Sequence, residues 1–307
     1  MSGLAAALVL GVSGCASVPA VNSVAINSAL PPRIELSDVA FYSQTQDQCG
    51  PAALATVLHH AGVERSLQQL QADVYVPKRQ GSLPLEMLGG ARRAGVLPYL
   101  LKAEPQPLWQ ELAAGHPVIV LQNLRWDWLP VWHYAVVVGY DTEDNTVILR
   151  SGDEKRLIVS VADFTSSWAK AKYWAFVALA TDQLPATASA AEFVQAAITL
   201  ERVSPMQAMQ AYKTALQAWP KNLDARLALG NRYYKQHDLE TAQTHYEQAA
   251  RDHPASGDAW NNLAQVLSER QEWEAARDAV ANAVALGGPR LDRYQATQMS
   301  IDSRRGQ

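Results

Sequence analysis

Cys49 ends a polar run in the stretch QTQDQCGPAAL, residues 44–54. Apolar residues then recur at helical spacing as far as Ala61, and Pro51 lies in the first turn, where its missing N–H costs nothing. The sequence therefore predicts a helix over about Gly50–Ala61 with Cys49 at its N-terminus. There the helix dipole favours thiolate over thiol, as a cysteine nucleophile requires. The alternative, a buried structural cysteine, fits neither the polar run nor the helix start.

Length and composition indicate a globular protein of two domains. The chain has 307 residues, of which 48% are hydrophobic and 18% are charged. Its net charge is −4 and it has no basic run, which argues against nucleic acid as a partner. The two cysteines, Cys15 and Cys49, are too few for a disulfide framework or a cysteine-based zinc site. The chemistry predicted below needs no metal or other cofactor.

The N-terminus resembles a bacterial lipoprotein signal. The apolar run Leu4–Val12 is too short to span a bilayer but has the length of a signal-peptide core, and small residues then precede Cys15. This pattern resembles a lipobox. It implies that residues 1–15 are the signal peptide and lipobox, that Cys15 carries lipid, and that residues 16–34 are a tether. The expected location is the periplasm, at the outer rather than the inner membrane, because Ala16 and Ser17 follow in place of an aspartate. The alternative is a buried N-terminal element with an inert Cys15.

Residues 35–181 mix helices and strands. Helices dominate the first half of this region and strands the second, which predicts an α+β domain. The predicted strands are Val96–Leu101, Pro117–Gln122, Trp132–Asp141, Thr146–Arg150, Leu157–Val161 and Tyr173–Ala180, with a further strand-like segment at Val39–Tyr42. After the Cys49 helix, the predicted helices are Ser66–Val74, Pro84–Ala94, Pro107–Ala114 and Val161–Lys170.

Residues 189–290 are Ala-rich with a period of 34 residues. Ala208, Ala242 and Ala276 share one position of the period, and aromatic positions follow the same spacing. This pattern resembles the tetratricopeptide repeat, a helical hairpin. It implies three repeats whose concave groove binds a peptide or partner protein. The alternative is a scaffold that only packs against the first domain. Residues 291–307 are expected to form a polar tail or a capping helix.

A cysteine nucleophile needs a base, and His133 is the candidate among the seven histidines. It begins the otherwise apolar run HYAVVVGY, whereas His59 and His60 lie about 15 Å along the Cys49 helix, too far to serve. The alternative for His133 is a satisfied core histidine. The turn after this strand places position 133 opposite about position 154 of the next strand. Ser151 and Asp153 are therefore the two candidates to orient the imidazole.

The cysteine and histidine motifs together resemble one known family. QCGPAAL followed by HYAVVVGYD is similar to the double-glycine leader peptidases that mature bacteriocins, which are papain-like cysteine peptidases (clan CA, family thirty-nine). The similarity covers about Ser37 to Ala180. It implies Cys49 as nucleophile and His133 as general base and acid. It also implies Gln44 as oxyanion donor, together with the Cys49 backbone N–H.

The chain departs from the family at the orienting position. The family has Asp or Asn, often followed by Pro, where this chain has Ser151-Gly152, with Asp153 next. A serine accepts the imidazole N–H but cannot stabilise imidazolium as a carboxylate would. Nothing in the chain resembles the phosphate loop of the family's transporter-linked members, so ATP is not implied.

The sequence therefore predicts a lipid-anchored periplasmic cysteine peptidase, in which an α+β papain-like domain precedes all-α tetratricopeptide repeats. The expected partners are a peptide or protein substrate, a protein in the repeat groove, and the membrane through the lipid, with neither nucleic acid nor ATP. Two alternatives stay open: a cell-wall amidase or transpeptidase with the same Cys–His pair, and a catalytically silent docking module. Trp126, Trp128 and Trp132, just before His133, either wall a substrate cleft or pack as an ordinary loop.

Overall fold

The computed structural model describes residue 26 and residues 29–43 and 48–304. The signal peptide with Cys15, the tether apart from residue 26 and residues 29–34, and the oxyanion residue Gln44 lie outside the described residues. Within the part of the chain that is described, no helix is long and apolar enough to cross a membrane.

The first half of the chain is built on an antiparallel sheet. The strands of this half are β1 (Arg33–Glu35), β2 (Tyr75–Val76), β3 (Gly81–Ser82), β4 (Leu97–Leu100), β5 (Val118–Asn123), β6 (Trp132–Asp141), β7 (Thr146–Ser151), β8 (Glu154–Ser160) and β9 (Ala175–Leu179). The main sheet has the order β4-β9-β5-β6-β7-β8, and β1 pairs with the C-terminal end of β6. Strands β2 and β3 form a separate hairpin.

Helices cover both faces of this sheet. They are α1 (Cys49–His60), α2 (Leu67–Val74), α3 (Pro84–Arg93), α4 (Gln106–Ala113) and α5 (Val161–Ala169). Side chains alternate along β6, so Tyr134, Val136 and Val138 pack in one core with α1, α2 and α3. Ala135 and Val137 pack in the other core with α4 and α5. The prediction of a mixed helix and strand domain is confirmed.

Two N-terminal segments differ from the prediction. Arg33 and Ile34, assigned to the tether, lie in β1 and pair with Asp141 and Tyr140. A strand of three residues is too short to show the alternation by which sequence patterns indicate strands. The predicted strand over Val39–Tyr42 is irregular instead. The Val39 carbonyl accepts a hydrogen bond from the Arg150 side chain (3.3 Å), and not from the backbone of a neighbouring strand.

The second half of the chain is helical and repeats every 34 residues. Its helices are α6 (Ala190–Glu201), α7 (Pro205–Ala218), α8 (Leu223–Lys235), α9 (Leu239–Asp252), α10 (Gly257–Glu269), α11 (Trp273–Leu286) and α12 (Leu291–Arg304). Helices α7, α9 and α11 begin 34 residues apart, and so do α8, α10 and α12. Ala208, Ala242 and Ala276 are fully buried at matching positions of α7, α9 and α11. Of the two alternatives for the C-terminal segment, the structure has the helix, in the place where a further repeat would begin.

The two halves of the chain share one apolar core. Phe193 of α6 and Tyr212 of α7 belong to the same buried cluster as Tyr99 of β4. Glu111 of α4, fully buried, binds the segment that joins the halves: its carboxylate accepts hydrogen bonds from the backbone N–H (2.8 Å) and hydroxyl (2.6 Å) of Thr187. The same carboxylate accepts from Ala186 N (3.1 Å) and forms a 2.7 Å contact with His116 Nδ1. The first repeat hairpin is therefore packed against the sheet domain.

Candidate active site

Cys49 is the first residue of α1 and is half-buried. Gly50, which follows it, is buried against β3: a Cβ atom built at Gly50 would lie 2.3 Å from Ser82 Oγ and 2.6 Å from Ser82 Cβ. No larger residue fits this position unless β3 moves. The N-terminal turn of α1 is thus held against β3 by close packing. The Cys49 backbone N–H lies at the positive end of the helix dipole.

Tyr134 ties this turn to β6. Its hydroxyl donates a hydrogen bond to the Ser82 carbonyl oxygen (3.3 Å). Burial raises the pKa of the Tyr134 hydroxyl above its ordinary value, and the negative charge of Cys49 raises this pKa further. Cys49 packs against the apolar cluster that contains Tyr134, the residue after His133 in the chain. Cys49 is located at the N-terminal end of β6.

His133 is half-buried at this end of β6, paired with Gln122 of β5. Its Nε2 lies 2.8 Å from Ser151 Oγ, at the end of β7. Burial lowers the pKa of the imidazole below its ordinary value, and the serine hydroxyl carries no charge that would offset this. The neutral imidazole is consequently favoured near pH 7. Nδ1 is the ring nitrogen left to face other groups.

The β6–β7 hairpin puts Ser151 on the same sheet face as His133. Its register pairs Asp141 with Thr146 at the turn, then shifts by one residue at a bulge after Val137. Of the two predicted orienting residues, Ser151 contacts the imidazole. Asp153 lies in the exposed turn between β7 and β8.

Alternation along β6 puts His133 on the sheet face opposite Tyr134. The thiol therefore lies on the α1 side of the sheet and the imidazole on the other face, beside Ser151, both near the N-terminal end of the strand. This end is also where the loop between β5 and β6 joins it.

A residue that the sequence analysis missed fixes the segment before Cys49. Arg150 is 3% exposed, and its guanidinium donates hydrogen bonds to the carbonyls of Val39 (3.3 Å), Ser37 (3.4 Å) and Lys155 (2.6 Å). A cation inside the otherwise apolar run of β7 was the available signal, because a buried arginine needs several acceptors. It holds residues 37–39 beside β7 and so shapes the approach to α1.

Among the described residues, no group of three or more His, Cys, Asp or Glu side chains is arranged to hold a metal ion. The groups gathered at the end of β6 are a thiol, an imidazole and hydroxyls. Such a set suits nucleophilic and acid–base chemistry.

These features define a class: an α/β peptidase-like domain with an antiparallel sheet, joined to a helical repeat array. Residues 36–176 match the family model of the Peptidase_C39 like family, and residues 227–292 match a tetratricopeptide repeat model. The chain therefore carries a C39-like peptidase domain followed by tetratricopeptide repeats.

Several solved structures are similar to the first half of this chain. One is a C39-like protein from Bacillus anthracis, with 17% sequence identity, a TM-score of 0.42, and coverage of 48% of this chain and 98% of that one. Another is the peptidase domain of Streptococcus ComA, a bifunctional ABC transporter of a quorum-sensing pathway, with 27% identity, a TM-score of 0.35, and coverage of 46% and 96%. A comparison with curated protein sequences found no match.

Proposed function

We propose that the chain is a cysteine peptidase in which Cys49 is the nucleophile and His133 the general acid and base. The observation that carries this proposal is the position of the thiol: Cys49 begins α1 beside Tyr134, at the same end of β6 as His133. A helix N-terminus favours thiolate, and an adjacent imidazole can accept and return its proton. In this mechanism Ser151 orients the ring through Nε2, which directs Nδ1 toward the sulfur.

The reaction is acyl transfer in two steps. The Cys49 thiolate attacks the peptide carbonyl carbon, and the C–N bond breaks as the His133 imidazolium protonates the departing amine. The neutral imidazole then takes a proton from water, whose oxygen attacks the thioester carbon. The C–S bond breaks, the imidazolium returns its proton to the sulfur, and the carboxylic acid product loses its proton to solvent. The Cys49 N–H and, by resemblance to the family, the Gln44 side chain stabilise the oxyanion, a contribution of about 3–4 kcal/mol in comparable sites.

A second candidate, a catalytically silent docking module, is favoured by one observation. His133 contacts a serine in place of a carboxylate, and burial lowers the pKa of the imidazole. A thiolate–imidazolium pair would therefore lack the stabilisation that a carboxylate gives to imidazolium. The N-terminus of α1 is then the main feature that favours the thiolate form of Cys49.

Peptide cleavage by the purified chain separates these candidates. A mixture of peptides is incubated with the wild type, Cys49→Ala, His133→Ala and, as a matched control, Cys15→Ala, and new termini are identified by mass spectrometry. The proposal expects cleavage by the wild type and Cys15→Ala and none by the other two. No cleavage by the wild type supports the docking module. Release of peptides from purified peptidoglycan, without cleavage of the peptide mixture, supports a cell-wall amidase.

We further propose that Cys15 is lipidated and holds the protein at the periplasmic face of the outer membrane, with a partner protein in the repeat groove. The lipobox-like sequence and the repeat architecture support these two points. Incorporation of labelled palmitate in cells, lost in Cys15→Ala, is the expected result. Equal labelling of Cys15→Ala would contradict the anchor.

A further inference from the structure

The loop between β5 and β6 exposes a cluster of large apolar side chains. We name residues 124–132, which comprise this loop and the first residue of β6, the tryptophan loop. Within it Trp128 is 77% exposed, Trp126 60% and Trp132 52%, and Leu124, Leu129 and Val131 are exposed as well. Single exposed apolar residues are common on protein surfaces, but a contiguous group of this kind marks a binding surface.

Hydrogen bonds hold the tryptophan loop in one conformation. The Asn123 side chain, 1% exposed, accepts from the backbone N–H of Arg125 (3.1 Å) and of Val131 (3.0 Å). Lys170 Nζ donates to the Arg125 carbonyl (2.7 Å). The indoles of Trp126 and Trp128 stack at 5.6 Å between centroids and 8° between planes. Because these side chains are already ordered, little conformational entropy is lost when a ligand binds them.

The tryptophan loop continues directly into the candidate active site. Trp132 precedes His133, and alternation along β6 puts Trp132 on the same sheet face as Tyr134, whose hydroxyl lies near Cys49. Tyr134 itself is buried, and the ring of the half-buried Trp174 lies 5.8 Å from its ring. The tryptophan loop thus adjoins an aromatic cluster at the end of β6 that carries the candidate active site.

We propose that the tryptophan loop binds large aliphatic or aromatic side chains of the substrate peptide, on one side of the bond that Cys49 cleaves. This inference rests on the proposed peptidase function and assigns its substrate class. Much of the backbone of the tryptophan loop is already engaged in hydrogen bonds that hold the loop together. The indole faces are therefore the groups that can contact a ligand. Those faces bind apolar and aromatic groups by burial and stacking.

Two observations favour a peptide over a lipid surface as the occupant. The tryptophan loop carries one cation, Arg125, and one anion, Asp127, and so lacks the excess of positive charge that draws a loop to anionic lipid. The N-terminal segment, which would lead to a lipid anchor, reaches the sheet at the other end of β6. There the Pro31 carbonyl accepts a hydrogen bond from the Tyr140 hydroxyl, about 26 Å along the strand from Trp132.

The test measures binding without catalysis. Fluorescence anisotropy follows two fluorescein-labelled extended peptides added to the full chain carrying Cys49→Ala. One peptide alternates leucine and phenylalanine with serine, and the other has asparagine in place of each apolar residue at equal length and charge. The Trp126→Ser/Trp128→Ser double variant is compared with Leu286→Ser/Met299→Ser, which removes two exposed apolar side chains from the repeat region.

The inference expects the apolar peptide to bind at least about tenfold more tightly than the polar one, and the loop variant to lose this preference while the repeat variant keeps it. Equal binding of both peptides, or an unchanged preference in the loop variant, would overturn it. Two further results would overturn the inference if peptide binding were unaffected in the loop variant. One is a loss of binding to phosphatidylglycerol vesicles, and the other is conversion of a dimer to a monomer in sedimentation. Cleavage by the wild type, measured separately, decides the peptidase function, so the two failures are distinguishable.

Discussion

Replacing Ser151 by aspartate should activate Cys49. The serine hydroxyl lies 2.8 Å from His133 Nε2, so a carboxylate at this position accepts the same hydrogen bond and adds a negative charge. The negative charge favours imidazolium, which raises the pKa of His133 from its burial-lowered value. Imidazolium in turn favours the Cys49 thiolate, so the thiol becomes reactive at lower pH.

The size of the effect follows from the contact. Charge centres about 4 Å apart interact by about 4 kcal/mol at an effective dielectric constant of ~20, which corresponds to about 3 pKa units. Ser151 is 9% exposed, so desolvation of the new carboxylate cancels part of this gain. We expect the pKa of His133 to rise by about 1–2 units, and Cys49 alkylation at mildly acidic pH to be about tenfold faster.

The assay is the rate of Cys49 alkylation by iodoacetamide as a function of pH, with Cys15→Ala as the background. Ser151→Asn is the matched control, because it preserves the acceptor and shape without the charge. The Ser151→Asp profile should shift to lower pH, and the Ser151→Asn profile should not. Equal profiles for all three proteins, each with an unchanged circular dichroism spectrum, would refute the coupling between Ser151, His133 and Cys49.

Three further substitutions test the packing that positions the site, each measured by urea denaturation. Gly50→Ala should lower the free energy of unfolding by about 1–3 kcal/mol, because its Cβ would overlap Ser82, and it should also alter the Cys49 alkylation rate. Glu111→Ala should cost about 2–4 kcal/mol, since it removes a buried carboxylate that accepts three hydrogen bonds from the joining segment, and a loss below 1 kcal/mol would contradict that role. Gly230→Ala should cost about 1–3 kcal/mol because its Cβ would lie 2.7 Å from Tyr246 Cε1; an unchanged unfolding midpoint would show that the repeat helices can separate at this point.

Elements with strong local periodicity were predictable from the sequence. The helix that begins at Cys49 follows from apolar spacing after a polar run, and the matching starts of α7, α9 and α11 follow from the 34-residue spacing of Ala208, Ala242 and Ala276. In these segments the apolar pattern and the packing require the same structure, so local sequence is sufficient.

Contacts between distant segments were not predictable in this way. Arg150 hydrogen-bonds carbonyls more than 100 positions earlier in the chain, and β1 pairs with β6 across a similar separation. Only the structure identifies Ser82, 32 positions later, as the residue that leaves no room for a side chain at Gly50. The choice between Ser151 and Asp153 depended on where β7 ends: the strand stops at Ser151, and the chain turns into β8 before Asp153 can lie beside β6.

The most direct test of the central claim is the pKa of His133 in the wild type and in Cys49→Ser, measured by NMR of the imidazole nitrogens. If thiol and imidazole form a pair, a thiolate stabilises imidazolium, and its replacement by an uncharged hydroxyl lowers the pKa of His133 by about one unit or more. The same pKa in both proteins would show that Cys49 and His133 do not interact, and would contradict the proposed mechanism.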